Sequence, residues 1–506
     1  MPQKQWPIRG GLMLPPHKEI SRNQSILNAS LPATVTLPVQ QHVGAPAQPV
    51  VQTGDKVLTG QLIASAQGNI SGSVHASISG TISHVGAAPV PHASGLDGLC
   101  ITIQSDGKDV RCAESTPVDD YPSLDPVALR SLIADAGIVG LGGAVFPTAV
   151  KIEAGRSAGI ETLLINGAEC EPYITCDAAL MRERADEIIS GAQILLHALE
   201  VERCIIALER DVPKSLEAIE RAISASADGR LELVTVPTIY PAGGEKQLIQ
   251  ALTGREVPSG GLPHDVGFVC QNVATAAAVA RRVHTGEPLI SRIVTCTGSG
   301  VAEPRNLEVR LGTPIAELVA QCGGYTTDVA RLIIGGPMMG FAVPSDELPV
   351  TKVVNCVLAA TRAEIGVEKT TMPCIRCGDC ARVCPANLLP QQLYWHIRAG
   401  DFENTRKFDL FDCIECGCCD YVCPSHIPLV EHYRYAKGQI RSLDEMARNA
   451  EVAKQRSEHK SARTLKDDEA YDSQLEEKKQ AVRDAASGGG GKDIIEAAIR
   501  RAKHNK

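Results

Sequence analysis

The chain has 506 residues, too many for one hydrophobic core, so three to five domains are expected. Its 44% hydrophobic and 22% charged content is that of a soluble globular protein, and a net charge of −9 leaves no basic footprint, which argues against nucleic acid as a partner. No apolar run reaches the ~18 residues that span a bilayer, and the opening stretch lacks the apolar core of a signal peptide, so the expectation is a cytoplasmic chain without a direct membrane span.

Residues 1–120 form the first expected domain, with 30–112 reading as all-β: short apolar runs at 33–37, 60–64 and 81–85 are separated by Gly, Pro and Asn turns. The stretch from Gly54 to Ala64, followed by Val74 to Ile82, resembles a biotinyl/lipoyl-type barrel-sandwich hybrid. In that fold a lysine at the central hairpin carries the prosthetic group. Here the hairpin reads Gln67-Gly68-Asn69-Ile70-Ser71-Gly72-Ser73, without lysine. A structural or docking domain with no covalent cofactor is therefore expected.

Residues 121–287 read as α/β. Apolar residues at helical spacing over 127–136 lead into the loop Gly137-Ile138-Val139-Gly140-Leu141-Gly142-Gly143-Ala144-Val145-Phe146-Pro147. Segments 162–166 and 204–208 read as buried parallel strands, with helices over 178–199 and 214–226. The loop is not the dinucleotide fingerprint, which needs a preceding strand and a third glycine where Val145 stands. Its glycines make either a tight turn or an anion nest, and Lys151 could add a charge toward a phosphate. Residues 288–362 return to a mixed β pattern, with strands expected at 292–297 and 332–334. From 446 to 506 the chain is charged and helix-prone, with 488–491 as a break, and reads as solvated helix and linker.

Eight of the 18 cysteines fall in two runs within the expected domain 363–445. The first is Cys374-x2-Cys377-x2-Cys380-x3-Cys384-Pro385, the second Cys413-x2-Cys416-x2-Cys419-x3-Cys423-Pro424. The interval from Cys374 to Cys413 equals that from Cys384 to Cys423, so the runs are an internal duplication. This is the two-cluster bacterial ferredoxin pattern, in which the fourth cysteine ligates the other cluster. The expected sets are Cys374, Cys377, Cys380 and Cys423 for one [4Fe–4S] cluster, and Cys413, Cys416, Cys419 and Cys384 for the other. Structural zinc is the competing reading, but it would use Cys-x2-Cys pairs at longer spacing. Cys418 does not fit the spacing and is left out. Cys204, Cys270, Cys296, Cys322 and Cys356 are scattered singly and read as small buried hydrophobes. Arg376, Asp379, Arg382, Asp412 and Glu415 flank the runs and read as solvated surface.

Three further segments accompany the glycine loop: Asn166-Gly167-Ala168-Glu169-Cys170-Glu171-Pro172, Tyr240-Pro241-Ala242-Gly243-Gly244-Glu245-Lys246, and Gln271-Asn272-Val273-Ala274-Thr275. In this order and spacing they resemble the NADH-binding flavoprotein subunit of respiratory complex I. Together with Gly10-Gly11, Pro15-Pro16-His17-Lys18 and the two cysteine runs, the chain through about residue 440 resembles the C-subunit family of Rnf (also called Rsx) electron transport complexes.

The resemblance implies a multidomain α/β chain: a barrel-sandwich-hybrid β domain, an α/β FMN- and NADH-binding domain, a β-grasp domain at 288–362, and an α-helical two-cluster ferredoxin-like domain. It implies non-covalent FMN near Gly140, Gly142 and Gly143, with Lys151 at its phosphate. Asn166 and Asn272 would hydrogen-bond the flavin or its ribityl chain, with Thr275 beside them. Glu171 and Glu245 would line the site for NAD(H), with Phe146 stacking on the nucleotide. Leu141 stands where the complex I family has arginine, Ala168 replaces an aspartate, and Gly244 replaces one of two adjacent glutamates. The resemblance further implies a peripheral protein on the cytoplasmic side of the bacterial inner membrane. It would pass electrons between NADH and two clusters, and would work with membrane-embedded and membrane-associated subunits and, through them, ferredoxin. A non-catalytic electron wire with a degenerate flavin site is the competing reading.

Overall fold

The computed structural model describes residues 6–113, 116–367, 369–488 and 491–504. It forms two compact units, Met1–Tyr433 and Arg434–Lys506. The second unit is helical, and from residue 445 to 488 nearly every side chain is exposed. Such a helix buries no apolar stripe and is supported by local charge pairs, for example Lys479 with Glu476 at 2.7 Å. Within the expected break at 488–491, residues 489 and 490 lie outside the described residues.

In the first unit two antiparallel sheets pack face to face. One joins Thr34–Pro38, Asp97–Ser105, Gly80–Pro89 and Lys56–Val57; the other joins Gln48–Pro49, Leu62–Ser65 and Val74–His75. Alternation points Val35, Leu37, Ile63, Ile82, Ile101 and Ile103 inward, each at most 1% exposed.

Four parallel strands follow, in spatial order Leu231–Val236, Cys204–Glu209, Thr162–Gly167, Phe268–Asn272. Cys204–Glu209 is buried at every position, as a strand covered by helices on both faces must be. The single helix expected over 178–199 is in fact two, Cys176–Glu183 and Ala185–Leu199. They break at Arg184, whose φ of −136° leaves the helical range, and its guanidinium reaches Glu308 at 2.6 Å. An apolar repeat does not register a one-residue break of this kind.

A six-stranded mixed sheet comes next: Leu27–Asn28, Arg305–Arg310, Ser291–Thr297, Cys356–Thr361, Val329–Ile334 and Phe341–Val343. Its first strand comes from the N-terminal segment and pairs parallel to Arg305–Arg310.

The cysteine segment is built of short helices and turns. The duplication extends to the backbone. Arg376 and Glu415 both have φ of 59°, Gly378 and Gly417 have φ of 81° and 77°, and Asn387 and His426 have φ of 54° and 50°. Each pair occupies matching places in the two runs, so both loops curl with the same left-handed turns.

Candidate functional site

The order of the parallel strands creates the first site. The chain winds outward from Thr162–Gly167 through the second and third strands, then returns to place Phe268–Asn272 on the other side of the first. That reversal opens a crevice beyond the carboxyl ends of the two strands. Asn166 and Asn272 are register partners there. Asn272 Oδ1 accepts from the Ala274 amide at 2.8 Å and so caps the helix Val273–Thr285, while its Nδ2 donates to Asp177 at 2.6 Å. Asn166 Nδ2 donates to the Gly243 carbonyl at 2.8 Å, and its Oδ1 accepts from the Ala168 amide at 3.0 Å.

The glycine loop lies over this crevice. It closes on itself through Gly140 N to Phe146 O at 2.8 Å and Val145 N to Gly140 O at 3.0 Å. The buried Thr275 hydroxyl accepts from Leu141 N at 2.9 Å and ties the loop to the helix behind it. Leu141 itself is buried in the core. Gly142, Gly143 and Ala144 are exposed, and among the described residues no acceptor meets their three successive amides. Gly143 has φ of 113°, and a Cβ placed on it would meet nothing within 4 Å. Successive free amides with open space before them suit an anion.

Lys151, on the helix Thr148–Ala158, reaches Glu245 Oε2 at 2.6 Å and the Cys270 carbonyl at 3.2 Å. Phe146 is half-buried beside the loop. Glu171 points elsewhere. Its carboxylate accepts from the amides of Met338 and Met339 at 2.7 and 3.1 Å, binding a turn of the six-stranded-sheet domain. Burial raises its pKa, and those two amides oppose the shift.

Sequence reading assigned nothing to Asp177. Burial, then the neighbouring Glu169, pushes it up to about 7. Glu169, Cys176 and Asp177 bring ligand-type atoms within 4.8 Å of one another, but Glu169 Oε1 already accepts from Asp177 N at 2.8 Å at the start of the helix Cys176–Glu183. Only the fold brings Asp177 to Asn272, so no sequence signal marks it.

The cysteine segment holds two cavities. Cys374, Cys377, Cys380 and Cys423 line one; Cys384, Cys413, Cys416 and Cys419 line the other, with the buried Cys418 beside them. Each cavity thus takes three thiols from one run and the fourth from the other. A zinc ion at ~2.3 Å from each sulfur would draw the sulfurs to ~3.8 Å of one another. Among the described residues no three of these sulfurs come within 4.8 Å, so the sets suit a larger group with several metal atoms, such as a cubane.

Four domain families match the chain in succession: the RnfC barrel sandwich hybrid domain at 6–108, the Nuo51 FMN-binding domain at 133–281, the SLBB domain at 293–342, and the 4Fe-4S dicluster domain at 373–427. The second falls on the parallel sheet and the glycine loop, the fourth on the two cavities, and FMN and [4Fe–4S] clusters are the groups these regions hold. Among relatives, the C-subunit of an ion-translocating oxidoreductase complex from Pseudomonas aeruginosa is 48% identical over 460 residues, covering 91% of this chain and 59% of its own. Its counterpart from Vibrio cholerae is 45% identical over 505 residues, covering 99% and 65%. A third, from Rhodobacter capsulatus, is 46% identical over 439 residues, covering 87% and 84%. The chain therefore spans less than two thirds of the first two relatives and most of the third.

Proposed function

The chain belongs to the C-subunit family of ion-translocating oxidoreductase complexes, and from that membership we propose that it passes electrons between NADH and a membrane-bound complex, through FMN and two [4Fe–4S] clusters. The observation that carries this reading is the pair of four-thiol cavities in the same compact unit as the FMN-binding domain. Bound FMN supplies two-electron acceptance from a hydride donor and one-electron release, which matches a carrier that takes one electron at a time.

The chain's own residues would bind and orient. Amides at Gly142, Gly143 and Ala144, with Lys151 close by, would hold a phosphate; Gly140 would let the flavin approach the loop. Asn166 and Asn272 sit at the strand ends, where the two amide side chains would exchange their present partners for flavin acceptors, and Thr275, buried in the helix that follows, would hold the loop in place beside them. Glu245 and Phe146 would border the NADH. Glu171 would act less as a contact than as the fastener of the 338–339 turn. Cys374, Cys377, Cys380 and Cys423 would hold one cluster, and Cys384, Cys413, Cys416 and Cys419 the other.

Among the described residues no helix is long and apolar enough to cross a membrane. The proposed site of action is the cytoplasmic face of the inner membrane, reached by docking to embedded and peripheral partner subunits. Those subunits would exchange electrons with ferredoxin and move Na⁺ or H⁺.

An anaerobic titration of the purified chain with NADH tests the reading. Bleaching of the flavin, followed by bleaching of the clusters, is expected. Clusters that respond to dithionite while NADH bleaches nothing would favour the electron-wire reading. One observation already leans that way: Lys151 and both asparagines are satisfied within the protein.

A further inference from the structure

Tyr240 has no part in the roles above, yet it is 3% exposed at the meeting of three segments. Its phenol donates to the Cys416 carbonyl at 2.6 Å. Its backbone exchanges hydrogen bonds with Leu12 in both directions, at 2.7 and 2.9 Å. Gly11 N in turn donates to the carbonyl of Val383, next to Cys384, at 2.9 Å. Leu12, Cys170, Met338 and Val383 pack around Tyr240 and Cys416. Just beyond Tyr240 in the chain, the Gly243 carbonyl takes the Asn166 amide and Glu245 takes Lys151. The short segment 240–245 thus touches the glycine-loop crevice at one end and the Cys416 loop at the other.

Among the described residues, no hydrogen bond ties the loop from Cys374 to Cys380 to a segment outside the cysteine region. Both cavities are lined from within 374–433, but around the set of Cys374, Cys377, Cys380 and Cys423 both Ile375 and Cys377 are exposed, whereas Cys416 and Cys419 of the other set are buried.

We propose that Cys384, Cys413, Cys416 and Cys419 hold the inner cluster, the one that exchanges electrons with the flavin, and that Tyr240 is the positioning residue that fixes it there. The set Cys374, Cys377, Cys380 and Cys423 then holds the outer cluster, facing a partner protein of the complex. This rests on the FMN and two-cluster reading above. Each electron given up on the flavin side is the one the adjacent cluster takes, singly, and no other reactant enters. The phenol also aims the positive end of its O–H dipole toward the Cys416 loop. That favours the more negative, reduced cluster and raises its potential, hydrogen bonding and charge being the protein's means of setting such potentials.

The test uses the full chain, reconstituted anaerobically with FMN and iron–sulfur. Cys384→Ala and Cys423→Ala, each expected to remove one cluster, assign the two signals in an EPR-monitored redox titration. Where an alanine variant loses both, the serine variant replaces it. Tyr240→Phe should move the midpoint of the cluster lost in Cys384→Ala to a more negative value, leaving the other unchanged. In rapid mixing, pre-reduced FMN should pass an electron to the remaining cluster of Cys423→Ala and not to that of Cys384→Ala. A shift confined to the other cluster, no shift in either, or the reverse transfer pattern overturns the proposal. Flavin and iron content of the wild-type chain, measured first, separates this failure from that of the underlying reading, which falls if FMN or either cluster is missing.

Discussion

The buried Lys352 amine donates to the Gly137 carbonyl at 2.7 Å, so a residue from the six-stranded-sheet domain holds the first position of the glycine loop. The same amine donates to the Ser73 carbonyl at 2.9 Å, joining the β-sandwich domain to both. Gly137 has φ of 66°, and a Cβ there would strike the Ser73 carbonyl, so the junction has no room for a side chain.

That junction has a pH dependence. Burial pulls Lys352 from 10.5 down to about 7. Between these values the unfolded chain binds the proton that the folded chain has released, so this group adds stability as pH rises; the gain is lost as pH falls through about 7. Lys352→Met is expected to flatten the rise. It should also lower the thermal midpoint at alkaline pH, because two buried carbonyls lose their donor at about 1–3 kcal/mol each. Thermal scans of both chains across the range would show it; an unchanged pH slope would contradict it.

Lys151→Ala should weaken FMN retention. A charge-assisted contact is worth about 1.5–3 kcal/mol, or about 10- to 100-fold in affinity. Glu245→Gln should have a smaller effect, since it frees the lysine from its 2.6 Å partner without removing the charge. Fluorescence titration of FMN into the apoprotein measures both, and equal affinity in Lys151→Ala and the parent chain would exclude Lys151 from the site.

Cys380→Ala should disturb the cluster of the first run, whereas Cys384→Ala, close to it in the chain, should disturb the other. Iron should fall from about eight to about four per chain in either variant, two cubanes of four irons being the starting content. EPR of the reduced variants should show different surviving signals. Identical survivors would refute the crossed grouping.

Gly191→Ala poses sequence reasoning against packing. Within the helix Ala185–Leu199, alanine is intrinsically better than glycine by ~1 kcal/mol. In the fold, however, an added Cβ would overlap the Ala276 carbonyl of the helix Val273–Thr285. Backbone cannot yield cheaply, so a net loss of about 1–3 kcal/mol is expected. A thermal midpoint at or above that of the parent chain would show that the helices part without cost.

The purified chain should not sediment with anionic lipid vesicles, and should sediment with membranes that carry its partner subunits. High salt or urea, without detergent, should then release it. Tight vesicle binding by the chain alone would replace docking with direct lipid contact.

Some of this was legible in the sequence because its causes are local. The strands Thr162–Gly167 and Cys204–Glu209 follow from unbroken apolar runs, since a strand buried on both faces needs no polar alternation. The two thiol sets follow from spacing, because short loops that wrap a group fix which sulfurs can share it, and equal intervals made the repeat visible. The tertiary structure decided what depends on residues far apart in the chain. It set Asn166 beside Asn272, turned Glu171 to the 338–339 turn, broke a helix at Arg184, paired Leu27–Asn28 with Arg305–Arg310, and brought Tyr240 to Cys416 and Lys352 to Gly137. None of these has a periodicity or a spacing. Each is one contact among many chosen together, when buried polar groups must find partners in whatever surface the closing domains bring to them.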